Sequence, residues 1–326
     1  MDIHTARYWG MNSLSGSGNR ERQIFRPSST PALDSDCILE HILCKSRTFL
    51  MAHGEKKLTE EEERQFRYDI TLRGTGFPVA YITGHKEFYG LDFVVSPDVL
   101  IPKPDTELLV EHAEQELLLQ PNIGNYVPGN TDGHPYRIAD ICTGSGCIVI
   151  SLLCSTAGRT GRPIIAAAGD ISSAALAIAR QNAERLLPDS LKHSVSFMEG
   201  DLFGPFDKAA AGNRTRRMFD LILSNPPYVP AKETDILLSD GRSEPRIALD
   251  GDAGCTESDG GFTIIRRLIP QAFIHLAPGG LFLVETGEYN AVRTAQLMKE
   301  TGFSEVRTFR DLAGQLRLTQ GRKTQT

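Results

Sequence analysis

The residues of this chain best suited to chemistry are Asn225-Pro226-Pro227-Tyr228, which follow the apolar run Leu221-Ile222-Leu223 and Ser224. The run predicts a buried parallel strand, and the two prolines stop it. Each proline fixes φ and removes an N–H, so the backbone beyond Ser224 is held extended, with carbonyls free to accept hydrogen bonds. Asn225 therefore stands at the mouth of a strand, where open α/β sheets bind ligands. Its Oδ1 and the Pro226 carbonyl offer two acceptors to a substrate –NH2 with two protons to place, and Tyr228 offers a flat face on which a planar group stacks. The plainer alternative is a rigid turn that only closes the strand.

A second constellation is Asp140-Ile141-Cys142-Thr143-Gly144-Ser145-Gly146-Cys147, between a predicted strand and a predicted helix. Glycines let the backbone turn tightly and let a ligand approach main-chain N–H groups at a helix N-terminus. Asp170, ending the next strand, is placed to take both hydroxyls of a ribose, with a helix-capping role beside Ser172 and Ser173 as the alternative. Asp201 and Leu202, ending the third strand, would flank an adenine ring. A nicotinamide dinucleotide loop needs a third glycine where this chain has Val149, so the pyrophosphate fingerprint is incomplete. S-adenosylmethionine carries no phosphate and suits an acid-led loop. The expected cofactor residues are Cys142, Thr143, Gly144, Ser145, Gly146, Asp170, Asp201, Leu202 and Asn225.

These groups need a sheet behind them, and the hydrophobic pattern supplies one. Strands are predicted over 137–142, 163–169, 195–198, 219–224 and 280–285, with short closing candidates at 306–309 and 316–318. Helices are predicted over 147–155, 172–187, 262–276 and 289–301, and such alternation implies a mainly parallel, doubly wound sheet. Earlier in the chain, Leu33, Cys37, Ile38 and Ile42 recur at helical spacing from Pro31 to near Lys45. A second helix begins at Thr59, where Thr59-Glu60-Glu61-Glu62 has the form of a capping box ahead of Phe66 and Ile70. Glycines and alternating apolar residues over 76–95 suggest a β-hairpin, with His85 a surface or turn residue. Ile101-Pro102-Lys103-Pro104-Asp105-Thr106-Glu107 reads as a proline-stiffened loop leading into a helix through Val110 and His112.

The 326 residues carry a net charge of −6, so there is no global basic field of the kind that dominates non-specific nucleic-acid binding. No run approaches the ~18 apolar residues of a membrane span. Cys37, Cys44, Cys142, Cys147, Cys154 and Cys255 form no CxxC pair, and reduced, buried thiols are expected in place of metal ligands or disulfides. Residues 1–29 have no apolar core of a secretory signal, and Asp2 and Glu21 disfavour a mitochondrial transit peptide. Lys208, Arg214, Arg216 and Arg217 form a basic loop, read as solvated, with electrostatic contact to a partner as the sharper alternative.

Several segments together carry a family resemblance: residues 76–81, Phe88-Tyr89-Gly90, residues 100–107, Asp140 to Gly146, Asp170-Ile171-Ser172, residues 200–203, Asn225 to Tyr228, Glu244-Pro245-Arg246-Ile247-Ala248-Leu249-Asp250-Gly251 and Asp311-Leu312-Ala313-Gly314. The chain resembles the HemK/PrmC family of release-factor glutamine methyltransferases from about Pro31 onward. The Ile-Pro-Lys-Pro-Asp-Thr-Glu and Glu-Pro-Arg-Ile-Ala-Leu-Asp-Gly segments are not shared by methyltransferases in general and make the match specific. Two positions depart from the family pattern: Cys142 replaces the first loop glycine, and Lys103 replaces an arginine, keeping charge but not bidentate geometry. The segment from Gly251 to Gly261 looks longer than usual and is expected to be an elaborated surface loop.

The resemblance implies an α/β, Rossmann-like seven-stranded methyltransferase domain over 105–322, a helical substrate-docking domain over 30–75 and a β-hairpin linker over 76–104, while the Ser, Gly, Asn and mixed charge of residues 1–29, ahead of the resemblance, read as a poorly ordered leader. It implies methylation of the side-chain amide of the glutamine in the Gly-Gly-Gln motif of class-1 peptide chain release factors, with S-adenosylmethionine as donor. Asn225, Pro226 and Tyr228 would be catalytic, the same residues with Pro227 would bind the glutamine, and no metal is needed. A monomer in a bacterial cytoplasm is expected, with a mitochondrial matrix as the lesser option and no direct partner in nucleic acid or membrane. The nearest rival is an adenine-N6 nucleic-acid methyltransferase, which uses the same tetrad but brings a basic target-recognition region. A rival of another class is a non-catalytic cofactor-binding module, which would have no need of the Asn225 amide.

Overall fold

Ile3, Ala6, Gly10 and Leu14 fall three or four residues apart and are all buried on one side of the first helix, α1 (Ile3–Leu14). The computed structural model describes residues 1–16, 27–119, 135–160, 162–210, 218–241, 243–253, 255 and 258–324. Helix α1 starts where the Asp2 carboxylate accepts from Thr5 N at 2.8 Å. It corrects the expectation of a poorly ordered leader over Ile3–Leu14, where the Ser, Gly and Asn content just downstream masks a regular helical stripe; residues 17–26 of that segment lie outside the described residues. With α2 (Pro31–Leu43), α3 (Arg47–Ala52), α4 (Glu60–Gly74) and α5 (Val79–Thr83) it forms one of two compact units, spanning Met1–His85 and Asp235–Ser243.

The core of that unit joins Ile3 and Leu14 to Ile38, Leu39, Leu50, Phe66 and Ile70. A Cβ on Gly10 would overlap the Ser35 hydroxyl and lie 2.9 Å from Phe66 Cζ, so only glycine lets α1 approach α2 this closely. Arg7 binds the buried Asp36 through two nitrogens, at 2.6 and 2.9 Å. The capping box at Thr59 forms as the sequence predicts, with Glu62 Oε2 accepting from Thr59 N at 2.7 Å.

The second unit, Lys86–Thr234 with Glu244–Thr326, carries the sheet. A hairpin of β1 (His85–Phe88) and β2 (Leu91–Val94) turns through Tyr89 and Gly90, both at positive φ, and is shorter than expected because Val79–Thr83 is helical. Then follow α6 (Glu107–Leu119), β3 (Tyr136–Ile141), α7 (Cys147–Thr156), β4 (Ile164–Asp170), α8 (Ser173–Leu186), β5 (Val195–Glu199), α9 (Gly204–Ala210), β6 (Phe219–Ser224), α10 (Ala231–Leu238), α11 (Thr263–His275), β7 (Leu276–Glu285), α12 (Glu288–Thr301), β8 (Ser304–Arg310) and β9 (Leu316–Arg322). Seven strands are ordered β5-β4-β3-β6-β7-β9-β8, parallel from β5 to β7, with β9 antiparallel to both neighbours. The expected Rossmann-like sheet is therefore present.

Side chains alternate between its two faces, as the strand period demands. Ile138, Leu221, Leu223, Leu281 and Leu283 face α6, α7 and the hairpin's Phe88 and Phe93. Ala139, Ile141, Ile222, Phe282 and Val284 face α11 and its Ile265, Leu268 and Ile269. The hairpin thus belongs to the core of the second unit, and the unit boundary falls at 85/86, ahead of the expected 104/105. No helix among the described residues is long and apolar enough to cross a membrane. The Gly-, Pro- and Asn-rich segment over 121–134, whose composition reads as a linker ahead of the first strand of the sheet, and Arg214, Arg216 and Arg217 of the basic loop lie outside the described residues, while Lys208 is exposed.

Candidate active site

Strand order reverses beside β3: β4 and β5 run to one side, β6 and β7 to the other. Ile141 pairs with Ser224 in the β3–β6 register, so the residues that follow them, Cys142 and Asn225, emerge side by side at this switch point. Ser224 Oγ locks the two strand ends together by donating to Ile141 O at 2.7 Å. A cavity of about 520 Å³ opens there, within the size range of small-molecule sites.

One wall of the cavity is the loop after β3, with Cys142, Thr143, Gly144 and Ser145; another holds Asp170, Ile171 and Ser172; a third Asp201 and Leu202; and Asn225 and Pro227 close it. Gly146 does not line it. A Cβ on Gly146 would sit 2.8 Å from Ile150 Cδ1 and 3.3 Å from Ala179 Cβ, so this glycine, at φ +79, serves the packing of α7 on α8. Pro226 and Tyr228 also lie outside the lining: Pro226 is buried, and Tyr228 packs on the α11-side core.

Asp170 shapes the loop as well as bordering it. Its Oδ2 accepts from Gly144 N and its Oδ1 from Ser172 N, both at 2.9 Å, and burial pushes its carboxyl up. Asp140, fully buried beneath the first turn of α7, accepts from Thr143 Oγ1 at 2.6 Å while its Oδ1 has no partner; burial pushes it up to about 7. Asp201 is ion-paired with Arg267 at the rim. Cys142 has φ +62, in the left-handed region that costs a side-chain-bearing residue about 1 kcal/mol, and burial pushes its thiol up. Of the six thiols Cys147 is buried, Cys37, Cys142 and Cys154 are half-buried, and Cys44 and Cys255 are exposed, so the expected burial holds for only part of the set.

The amide of Asn225 is held from behind: Nδ2 donates to Thr106 Oγ1 at 3.2 Å. Thr106 is itself buried, at the end of the Pro104–Thr106 turn. Tyr228 Oη donates to Glu285 Oε1 at 3.2 Å, and Glu285 Oε2 has no hydrogen-bond partner. Burial pushes Glu285 up to about 7, against the Thr106 hydroxyl, the Arg317 guanidinium and the Tyr228 hydroxyl. Arg317 bridges Asp105, at 3.3 Å, to Asp311, at 3.2 Å, so the Asp-Leu-Ala-Gly turn props the proline-stiffened loop.

The backbone of the tetrad is splinted by the Glu-Pro-Arg-Ile-Ala-Leu-Asp-Gly segment. Val229 N donates to Leu249 O and Gly251 N to Val229 O, each at 2.9 Å, forming a parallel bridge between Val229 and Asp250. The Tyr228 carbonyl accepts from Tyr289 Oη at 2.9 Å and Asn290 Nδ2 at 3.3 Å. Asp252, fully buried, accepts from Ala231 N, Ser258 Oγ, Asp259 N and Gly261 N between 2.6 and 3.0 Å. Although burial pushes its carboxyl up, those donors hold it below the usual range. The segment expected to be an elaborated surface loop is therefore anchored internally. Lys103 Nζ makes a single 2.6 Å bond to the buried Glu244, joining the two family-specific segments.

Against this geometry stand the relatives. The model described as the PrmC N-terminal domain matches residues 21–84. The release factor glutamine methyltransferase of Salmonella typhimurium is 35% identical over 299 residues, 92% of this chain and 95% of that protein. Those of Koribacter versatilis and Bordetella pertussis are each 36% identical, covering 90% and 92% of this chain and 92% and 98% of theirs. The chain belongs to the release factor glutamine methyltransferase family.

Several groups that shape this methyltransferase site escaped the sequence reading. Thr106 and Asp105 were visible only as loop residues, and Glu285, Arg317, Tyr289 and Asn290 carry no local signal of their position. Asn182 is another: its Oδ1 accepts from Val94 N at 2.8 Å, and its Nδ2 donates to Val94 O and Ser145 O at 3.0 Å. It ties the hairpin to the loop after β3 from a fully buried position. Asn182→Ala is expected to cost about 2 kcal/mol, because it strands buried backbone groups without partners. Urea unfolding of the variant beside the parent enzyme measures that loss.

Proposed function

We propose that this chain transfers the methyl group of S-adenosylmethionine to the side-chain amide nitrogen of the glutamine in the Gly-Gly-Gln motif of class-1 peptide chain release factors. We further propose that it does so as a monomer in a bacterial cytoplasm. The observation that carries the reading is the pairing of Ile141 with Ser224, which sets the loop after β3 beside Asn225 on adjacent strands.

The cavity suits the donor. Each Asp170 oxygen already accepts one backbone N–H and keeps lone pairs for a ribose hydroxyl. A Cβ on Gly144 would meet nothing within 4 Å, so bare backbone borders open space there, ahead of the α7 N-terminus that favours a carboxylate. Leu202 and Ile171 supply apolar surface for a planar base. When bound, S-adenosylmethionine supplies a methyl group on a positively charged sulfur, which leaves as a neutral thioether.

The protein's task is the acceptor nitrogen, whose lone pair is delocalised into its carbonyl. An Asn225 Oδ1 and a Pro226 carbonyl that each accept one N–H favour a pyramidal nitrogen with its lone pair turned to the methyl. This is orientation with electrostatic preorganisation, and the proton can leave to water after transfer. Tyr228 serves from behind, its hydroxyl on Glu285 and its carbonyl on Tyr289 and Asn290.

The full chain with methyl-labelled S-adenosylmethionine should label a release factor, but neither its Gly-Gly-Gln→Gly-Gly-Ala variant nor DNA. Label in DNA would install the adenine-N6 reading, and label nowhere would leave a non-catalytic module. Asp170→Asn should weaken binding of the demethylated cofactor, read by calorimetry, by about 10–100-fold, the worth of one or two hydrogen bonds to a charged group. Unchanged binding would remove Asp170 from the ribose.

A further inference from the structure

Pro226, Pro227 and Pro230 leave half of residues 225–230 with no N–H for a ladder. Yet the function proposed above, on which this inference rests, needs Asn225 Oδ1 and the Pro226 carbonyl held still against an incoming amide. The main chain holds the stretch at Val229, which donates to Leu249 O and accepts from Gly251 N. Side chains supply the rest. We infer that Asn290 and Asp252 are positioning residues for methyl transfer: they staple residues 228–231, the exit of the tetrad, to residues 259–261 and so set the aim of its carbonyls.

The two staples are chemical opposites. Asn290 is buried, and its Nδ2 donates to Tyr228 O at 3.3 Å and to Gly260 O at 3.1 Å. Both partners are carbonyls, which only accept, so a donor is required there. Asp252 is fully buried; its Oδ2 accepts from Ala231 N at 3.0 Å, and its Oδ1 from Gly261 N at 2.8 Å and Asp259 N at 3.0 Å. Those three main-chain groups only donate, so an acceptor is required here. One side chain thus joins carbonyls, the other joins N–H groups, and each spans the same two segments. Between them the segments touch, since a Cβ on Gly261 would overlap the Tyr228 carbonyl oxygen. Tyr289, next to Asn290 in the first turn of α12, adds a second donor to that oxygen at 2.9 Å. Pro227 fixes φ between Tyr228 and Pro226, so a shift at Tyr228 is passed to the Pro226 carbonyl. Neither Asn290 nor Asp252 lines the cavity, and both act through the tetrad.

The test reverses each staple without changing its shape: Asn290→Asp turns donors into acceptors, and Asp252→Asn sets an –NH2 against N–H groups. In the full chain each should lower kcat about tenfold while the KM for S-adenosylmethionine stays within about twofold, because only the aim at the reacting nitrogen is lost. Tyr289→Phe keeps the ring and loses one donor, so a fall of about threefold is expected. In each variant that folds, nitrogen-labelled, hydrogen exchange at Val229 N and Gly251 N should quicken while Ile222 N in β6 stays parent-like, which separates a loosened tetrad from a loosened sheet. Parent-like kcat in Tyr289→Phe and in whichever reversed variant folds would overturn the staple. So would a fall in kcat that comes with a raised KM for the donor or with faster exchange in β6. A parent enzyme that labels no release factor overturns the functional reading instead, and exchange then judges the staple: quickened at Val229 and Gly251, it stands; unchanged, it falls.

Discussion

Asn225→Ala is expected to lower kcat by about 10²–10³-fold, the usual effect of removing one preorganised group from a transition state, with S-adenosylmethionine affinity changed by no more than about threefold. The reasoning is local. Asn225 leaves the sheet at the end of β6, its –NH2 is engaged by Thr106, and its oxygen is the one side-chain acceptor of the tetrad that borders the cavity. Alanine keeps the strand and its prolines but removes that acceptor, so the substrate amide keeps its lone pair in resonance. Asp170 and the loop after β3 are untouched, which is why binding of the donor should survive. Single-turnover methylation of a release factor, with donor affinity measured separately by calorimetry, separates the two effects. Near-normal turnover with the donor still bound would remove Asn225 from the chemistry.

Gly261→Ala is expected to be among the most damaging changes away from the cavity, at about 3–4 kcal/mol of stability, near the upper end for single substitutions. Gly261 sits at φ +74, and a Cβ there would overlap the Tyr228 carbonyl oxygen and stand 2.7 Å from its carbon and 2.9 Å from Pro230 N. Both obstacles are backbone, held by Asn290, Tyr289 and the Val229–Asp250 bridge, so neither can rotate aside. Either the tetrad moves or the 251–261 segment detaches from Asp252. Thermal unfolding and methylation of the soluble fraction should fall together. Parent-like melting would mean that this close approach is looser than the distances imply.

The strands and the tetrad were legible because their signals are local: an apolar run halted by two prolines is written in ten consecutive residues. Alternation implies a parallel sheet but not its strand order, so the β3–β6 pairing is visible only in the fold, whereas strand ends fall within a few residues of those expected because turn chemistry is local. What stayed hidden depends on partners distant in sequence. Thr106 is recognisable only beside Asn225, Arg317 only beside Asp105, and Asn182 only once the hairpin has folded onto the sheet. Gly146 shows the same limit: a glycine that admits a ligand and one that admits a neighbouring helix look alike until Ala179 is in place. Tyr228 reads as an exposed stacking face, yet its hydroxyl points to a buried carboxylate that no nearby residue announces. Helix α1 is hard to read because Ser, Gly and Asn follow directly on its apolar stripe.

The register between Ile141 and Ser224 has a consequence for how activity is lost. Neighbouring strands lie about 4.8 Å apart, a spacing set by main-chain hydrogen bonds and insensitive to the loops above them. The gap between the loop that would hold the methyl donor and the Asn225 that would hold its acceptor is thus a rung of the central ladder. Amide protons on such central strands exchange with solvent only through rare, large-scale opening. Deuterium uptake along 136–141 and 219–224 should therefore rise in the same denaturant range in which methylation fails, with no earlier stage at which the sheet persists but the reach is wrong.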